Sequence, residues 1–162
     1  MSEQNVIHRA RADARQGKSP STQAGEFVRE EFHHVRQGKH GARSPQQAIA
    51  IGLSKARRAG VKLPPPKSGP MKIRRQAQRD LQRGRHPELP VSRRRSRAVL
   101  GALKHEGHAA ATTQAISRQT HQAAVRRSSR SRSESAQRAV HTKGCAGLVA
   151  AARKAARTRK SV

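Results

Sequence analysis

Ser44-Pro-Gln-Gln-Ala-Ile-Ala-Ile-Gly-Leu-Ser-Lys-Ala-Arg-Arg-Ala-Gly60 carries the decisive signal for the fold. Ser44 and Gln47 form a capping box: the Ser hydroxyl accepts from the amide of residue 47 and the Gln side chain reaches back. Pro45 takes the first helical position, where its missing N–H costs nothing. Ile49, Leu53 and Ala56 then stand one turn apart, and Ala48, Ile51 and Gly52 widen the apolar arc. Lys55, Arg57 and Arg58 crowd the last turn, where the helix dipole favours cations, and Gly60 ends the helix. Ala48 and Gly52 are small enough to let a neighbouring helix approach closely.

That neighbour lies upstream. Ser19-Pro20 or Ser21-Thr22 caps a helix that Gly38 stops. Ala24, Phe27, Val28, Glu31 and Val35 fall on one face with Phe32 beside it. Glu26, Glu30 and Glu31 lie in its first half, and Arg36 and Lys39 lie near its end, as the dipole prefers. The pair predicts an αα-hairpin over residues 19–60, near the size of roughly 40 residues below which a lone domain needs support. A homodimer through the hairpin is one such support.

The flanks read differently. Residues 1–18, with Arg9, Arg11, Arg15 and Lys18, read as a disordered basic N-terminus. Val61-Lys-Leu-Pro-Pro-Pro-Lys-Ser-Gly-Pro70 reads as a stiff linker that holds the hairpin away from the C-terminal part of the chain. Beyond it, residues 71–162 carry +19 of the formal charge, against +8 for residues 1–70. A thin stripe of Ile73, Ala77 and Leu81 suggests a helix from Met71 to about Arg83. Ser92 begins another through Val99, Leu100 and Leu103 to Gly107, and Thr112 or Thr113 a further one through Ile116 and Val125. Near the C-terminus, residues 135–144 recur at 151–160 with small, basic and Thr positions kept in place, a repeat that spaces cations instead of building a core.

Leu, Ile, Val and Phe total 24 of 162 residues, below the roughly 20% typical of a foldable chain. Such a chain buries too little to offset about 1–2 kcal/mol per residue of backbone ordering along its whole length. The expected fold class is therefore mainly α: a small αα-hairpin followed by a largely disordered tail whose helices are inducible, forming when phosphate neutralises their charge.

Charge points to the partner. Against 36 Lys and Arg stand 9 Asp and Glu, a formal +27, with two Phe and no Trp or Tyr. A surface so one-sided attracts polyanions, and nucleic acid is the expected partner. The candidate phosphate contacts are Arg57 and Arg58; Arg74 and Arg75; Arg83 and Arg85; Arg93, Arg94, Arg95 and Arg97; Arg126, Arg127, Arg130 and Arg132; and Arg153, Lys154, Arg157, Arg159 and Lys160. Arg83-Gly84-Arg85-His86-Pro87 is similar to an AT-hook core, though His86 interrupts it. A helix-turn-helix over residues 24–59 with Gln46 and Gln47 facing adenine fits poorly, because the loop from Gly38 to Ser44 exceeds the usual tight turn. The 26 Arg to 10 Lys and the Arg-Ser tract from Arg127 to Ser135 leave room for RNA as the target, whereas the lack of aromatics argues against base stacking.

Other classes find less support. His33, His34 and His40 cluster near a helix end and His105 and His108 lie one turn apart, but no second cysteine or convergent carboxylate set completes a metal site. Cys145 is an isolated thiol. There is no phosphate-cradling Gly loop, no His-Glu-x-x-His and no nucleophile–base arrangement, so neither an enzyme, a cofactor nor a small-molecule substrate is expected. The absence of an apolar run in residues 1–20, or of one long enough to span a bilayer, points to the cytoplasm and away from membranes.

Two resemblances add to this reading. Ser21-Thr-Gln-Ala-Gly-Glu-Phe-Val-Arg-Glu-Glu31, Gly38-Lys-His-Gly-Ala-Arg-Ser44 and Gln47-Ala-Ile-Ala-Ile-Gly-Leu-Ser-Lys-Ala-Arg-Arg-Ala-Gly60 resemble an uncharacterised family of small basic bacterial proteins in which a Gln-Ala-Ile-Ala-Ile-Gly-Leu-Ser-x-Ala-Arg segment recurs. The likeness covers about residues 18–66 and implies no activity. Ala150-Ala-Ala-Arg-Lys-Ala-Ala-Arg-Thr-Arg159 resembles the tails of bacterial histone-H1-like proteins, which implies a non-catalytic, nucleoid-associated role on DNA. The alternatives are an RNA- or ribosome-associated basic protein and a protein-interaction module for an acidic partner.

Overall fold

The computed structural model describes residues 3–88, 90 and 92–160, with side chains from 4 to 158 within those ranges. The described residues form α-helices joined by short connections and one 3₁₀ turn, with no strand among them. The capped segments give α2 (Pro20–Arg36) and α3 (Pro45–Arg58). Ser19 Oγ accepts from the Thr22 amide at 3.4 Å, and Ser44 Oγ from the Gln47 amide at 3.2 Å. The Gln47 side chain reaches back one residue further than a simple box, its Oε1 accepting from the Arg43 amide at 2.8 Å. Gly38 and Gly60 close the helices with φ of +69° and +94°, a region open to glycine at little cost.

α2 packs on α3 through the small face. Ala24, Ala48 and Ala56 are fully buried. A Cβ at Gly52 would lie 2.7 Å from Val28 Cα, so the two backbones meet at a spacing only glycine permits.

Most of the segment expected to be disordered is helical: α1 spans Glu3–Arg15. Val6 and Ala10, one turn apart, bury against Ala24, Phe27, Ala56 and Val61, with Ile7 and Leu53 alongside. Arg9 Nε donates to Glu26 Oε2 at 2.7 Å across α1 and α2. The hairpin thus gains a third helix, and burying each Val or Phe contributes about 1.5–3 kcal/mol.

The proline-rich segment does not hold the two parts of the chain apart. Val61 is buried, and Arg57 latches the chain back on α3, donating to Leu63 O at 3.2 Å and Pro64 O at 3.3 Å. α4 (Met71–Arg85) then packs on α3. Ala77 is buried there, and Gly84 lies so close that a Cβ would overlap the Arg57 carbonyl oxygen. Buried Asp80 fastens the junction, accepting from Ser54 Oγ at 2.7 Å, Arg58 Nε at 2.8 Å and Gln76 Nε2 at 3.0 Å.

α5 (Arg93–Lys104) is attached by its C-terminal end. The Gly41 amide donates to Leu103 O at 2.8 Å and the Ala42 amide to Gly107 O at 2.9 Å. The 3₁₀ turn Ala109–Ala111 comes next and inserts Ala110 and Ala111 beside Val35, Ala42 and Ala48, a second small core. Arg36 Nε caps it, donating to Ala111 O at 2.9 Å. α6 (Thr113–Val125) starts at Thr112, whose Oγ1 accepts from the Ala115 amide at 3.2 Å.

The chain divides into two compact units, the first ending at Gln119 and the second beginning at Thr120. The second holds the end of α6 and α7 (Ser129–Lys160), broken at Gly144, where φ is +65° and ψ 170°. This tail is helical, which overturns the expectation of a largely disordered one with inducible helices. None of the described side chains of the second unit is buried, so local propensity decides there: Ala, Arg, Lys and Gln are strong helix formers. Hydroxyls also bond back to carbonyls one turn earlier, Ser135 to Ser131 O at 2.9 Å and Thr142 to Arg138 O at 2.8 Å. Arg130 pairs with Glu134 at 3.2 Å along the same helix.

Candidate nucleic-acid interface

Four acidic groups of the first unit are paired with cations of the same unit. Glu26 pairs with Arg9 at 2.7 Å and Arg29 at 2.8 Å, Asp13 with Lys18 at 2.6 Å, Asp80 with Arg58 at 2.8 Å, and Glu106 with Arg43 at 4.0 Å. Their partners come from α1 to α3 and their connections.

Arg57 and Arg58 stand apart from the other candidates. Arg57 is buried and bonded to its own chain's carbonyls. Burial pulls its pKa below the usual guanidinium value while Asp80 pulls it back, and a guanidinium so placed remains charged. Arg58 is held by Asp80. Both build the α3–α4 junction, so Arg57 is not available to phosphate and Arg58 would have to leave Asp80 to reach it.

Arg74 and Arg75 are exposed on α4. Arg79, Gln82, Arg83, Arg85 and His86 line an open concavity at the end of that helix. Arg83-Gly84-Arg85 is therefore a helical terminus, with Gly84 serving the contact to Arg57, not the extended strand that an AT-hook lays in the minor groove. Gln46 and Gln47 are likewise occupied, Gln46 with Gln119 and Gln47 with Arg43.

Arg93, Arg94, Arg95 and Arg97 are all exposed on α5. Ser92 caps the helix, accepting from the Arg95 amide at 3.4 Å. Three of these arginines fill the first turn, the positive end of the helix dipole, where a cation opposes the helix by about 0.3–1 kcal/mol. No ion pair reaches any of the four among the described residues. Helix stability does not account for their placement.

In the second unit Arg126, Arg127, Arg130, Arg132, Arg153, Lys154 and Arg157 are all exposed. The side chains of Arg159 and Lys160 lie outside the described residues. The exposed cations thus occur in both units, on α4 and α5 and again at the α6–α7 turn and along α7.

One cluster escaped the sequence reading. Glu31 of α2 is buried, His34 follows one turn on, and His40 returns to the same place after the turn at Gly38. His40 Nε2 lies 3.1 Å from Glu31 Oε1, Lys55 Nζ 2.7 Å from Glu31 Oε2, and His34 Nε2 3.1 Å from Glu30 Oε1. Burial, with Lys39 and Lys55 nearby, holds the His34 imidazole below its ordinary pKa, against the pull of Glu30 and Glu31. The histidine grouping was visible in sequence; its carboxylate was not, because Glu31 read as part of a helix face.

No helix among the described residues is long and apolar enough to cross a membrane. No curated protein and no solved structure matches the chain. Residues 15–68 match a family of unknown function, DUF6496, so the α2–α3 segment is similar to that family while the arginine-bearing helices lie outside the match.

Proposed function

We propose that this protein is a non-catalytic, histone-like nucleic-acid-binding protein of the cytoplasm and nucleoid, which neutralises backbone phosphates with little sequence preference. Duplex DNA is its first target. The reading rests above all on the first turn of α5, where exposed Arg93, Arg94 and Arg95 sit against the helix dipole with no acidic partner among the described residues. A placement unfavourable to the free helix becomes favourable once phosphates stand beside it.

The mechanism is electrostatic. Exposed guanidinium groups on α4, α5 and α7 meet successive phosphates and release condensed counterions, while α1 to α3 provide a folded head. With no Trp or Tyr in the chain, little base stacking is available, so contacts to the backbone dominate. The likeness of residues 150–159 to histone-H1-like tails supports the same reading. If about eight phosphates are engaged, log K falls against log salt with a slope of roughly −7. The test is a salt titration of the full chain on duplex DNA with structured RNA as competitor. A steep slope with DNA retained supports the proposal. A flat slope removes it, and loss of DNA to RNA transfers it to RNA.

A further inference from the structure

We propose that Glu31, His34 and His40 form a binding site for a divalent transition-metal ion, zinc foremost. The site is independent of the nucleic-acid reading, since it lies between α2 and the loop to α3, with none of the exposed arginines of α4, α5 or α7 among its residues.

The donor atoms of the three side chains lie within 4.8 Å of one another. Their hydrogen bonding fixes what each can offer. His40 Nδ1 stands 3.0 Å from Gly41 O, a carbonyl that can only accept, so the proton of a neutral ring belongs on Nδ1. The lone pair is then on Nε2, which faces Glu31 Oε1 at 3.1 Å. Two acceptors at that distance need a cation between them, either a proton on Nε2 or a metal ion. Glu31 is 1% exposed, and with a neutral His40 ring no hydrogen bond reaches its Oε1. A buried carboxylate oxygen left in this state costs several kcal/mol in stability, so a partner for it is expected.

A metal ion meets these requirements. Two donors bound at about 2.0–2.1 Å and set at the tetrahedral angle lie roughly 3.3 Å apart, close to the 3.1 Å between His40 Nε2 and Glu31 Oε1. Lys55 holds Glu31 Oε2 at 2.7 Å, leaving Oε1 as the ligating atom. Glu30 Oε1, 3.1 Å from His34 Nε2, and the Gly41 carbonyl on His40 are the kinds of partner that orient a ligating imidazole. Two imidazoles and one carboxylate suit Zn²⁺ better than Mg²⁺ or Ca²⁺, which prefer all-oxygen shells. Three protein ligands leave a fourth position for water. The nearby Lys55 ammonium opposes the cation and sets a ceiling on affinity. By spanning α2 and the loop before α3, the ion would pin the turn that starts the hairpin's second arm.

The test uses the metal-stripped full chain, titrated with ZnCl₂ by calorimetry and with CoCl₂ by visible absorption. Expected are one site per chain, the intense visible bands of tetrahedral cobalt, and at least a tenfold loss of affinity in His40→Ala and in Glu31→Gln. Circular dichroism in EDTA confirms that each variant folds. If Glu31→Gln does not fold, His34→Ala carries the test. His105→Ala with His108→Ala, at exposed positions elsewhere, should bind as the parent does. No zinc binding, or binding that survives His40→Ala and falls in the His105/His108 variant, overturns the site.

Discussion

Asp80→Ala should uncouple α4 from the hairpin. Asp80 is 2% exposed and takes hydrogen bonds from Ser54, Arg58 and Gln76. Bonds to a charged acceptor contribute about 1.5–3 kcal/mol each when buried, but Arg58 is 55% exposed and can return to water, which limits its share to about 1 kcal/mol. Alanine returns a few tenths of a kcal/mol through better helix propensity. The net cost is about 2–4 kcal/mol, read as a lower urea midpoint with hydrogen exchange accelerating first in α4. In a double-mutant cycle with Arg58→Ala, the coupling should be about 1 kcal/mol or less. A loss below about 0.5 kcal/mol, with α4 amides unchanged, would mean that the helix does not depend on this junction and that residues 61–70 are a true spacer.

Gly52→Ala should destabilise the protein by about 1 kcal/mol or more in urea denaturation despite alanine's better helix propensity, because the new Cβ would meet the Val28 backbone at 2.7 Å. In chelator-treated protein, stability should fall as pH drops below about 6.5. Native His34, facing Lys39, Lys55, Glu30, Glu31 and the ring of His40, resists the proton that the unfolded chain accepts, so its contribution is complete above the unfolded pKa and declines toward the lower folded one. His34→Gln should flatten that part of a thermal-melt pH series. Replacing Arg93, Arg94 and Arg95 with Gln should leave thermal stability unchanged or slightly raised, since their charges oppose the dipole of α5.

How far the sequence could be read depends on the strength of local chemistry. Ser19, Ser44, Ser92 and Thr112 are hydroxyl caps, and each begins the helix expected of it. Gly52 and Ala48 read as a close-approach face because small residues admit few other purposes within an apolar arc. The N-terminal helix is hidden in the sequence because its stripe, Val6, Ile7 and Ala10, is short and acquires meaning only when Ala24, Phe27 and Val61 cover it. The prolines at 64–66 correctly forbid helix there but say nothing of Arg57 drawing the segment back onto α3. In α7 the scarcity of burial is a poor guide, because the helix propensity of Ala, Arg and Lys needs no burial. Of the interface, the arginines themselves are plain in the sequence. Which of them α3 and α4 consume is not, because ion pairing to Asp80 depends on a contact between helices separated by the proline-rich segment.

The assignment of α5 to phosphate can be tested by comparing the parent with an Arg93, Arg94, Arg95 and Arg97 to Gln variant in salt titrations on the same duplex DNA. Each lost phosphate contact reduces the slope of log K against log salt by about 0.9, so the variant should bind more weakly with a slope shallower by up to about 3.6 and melt at the parent's temperature or above. An unchanged slope would contradict the placement of α5 on the phosphate backbone.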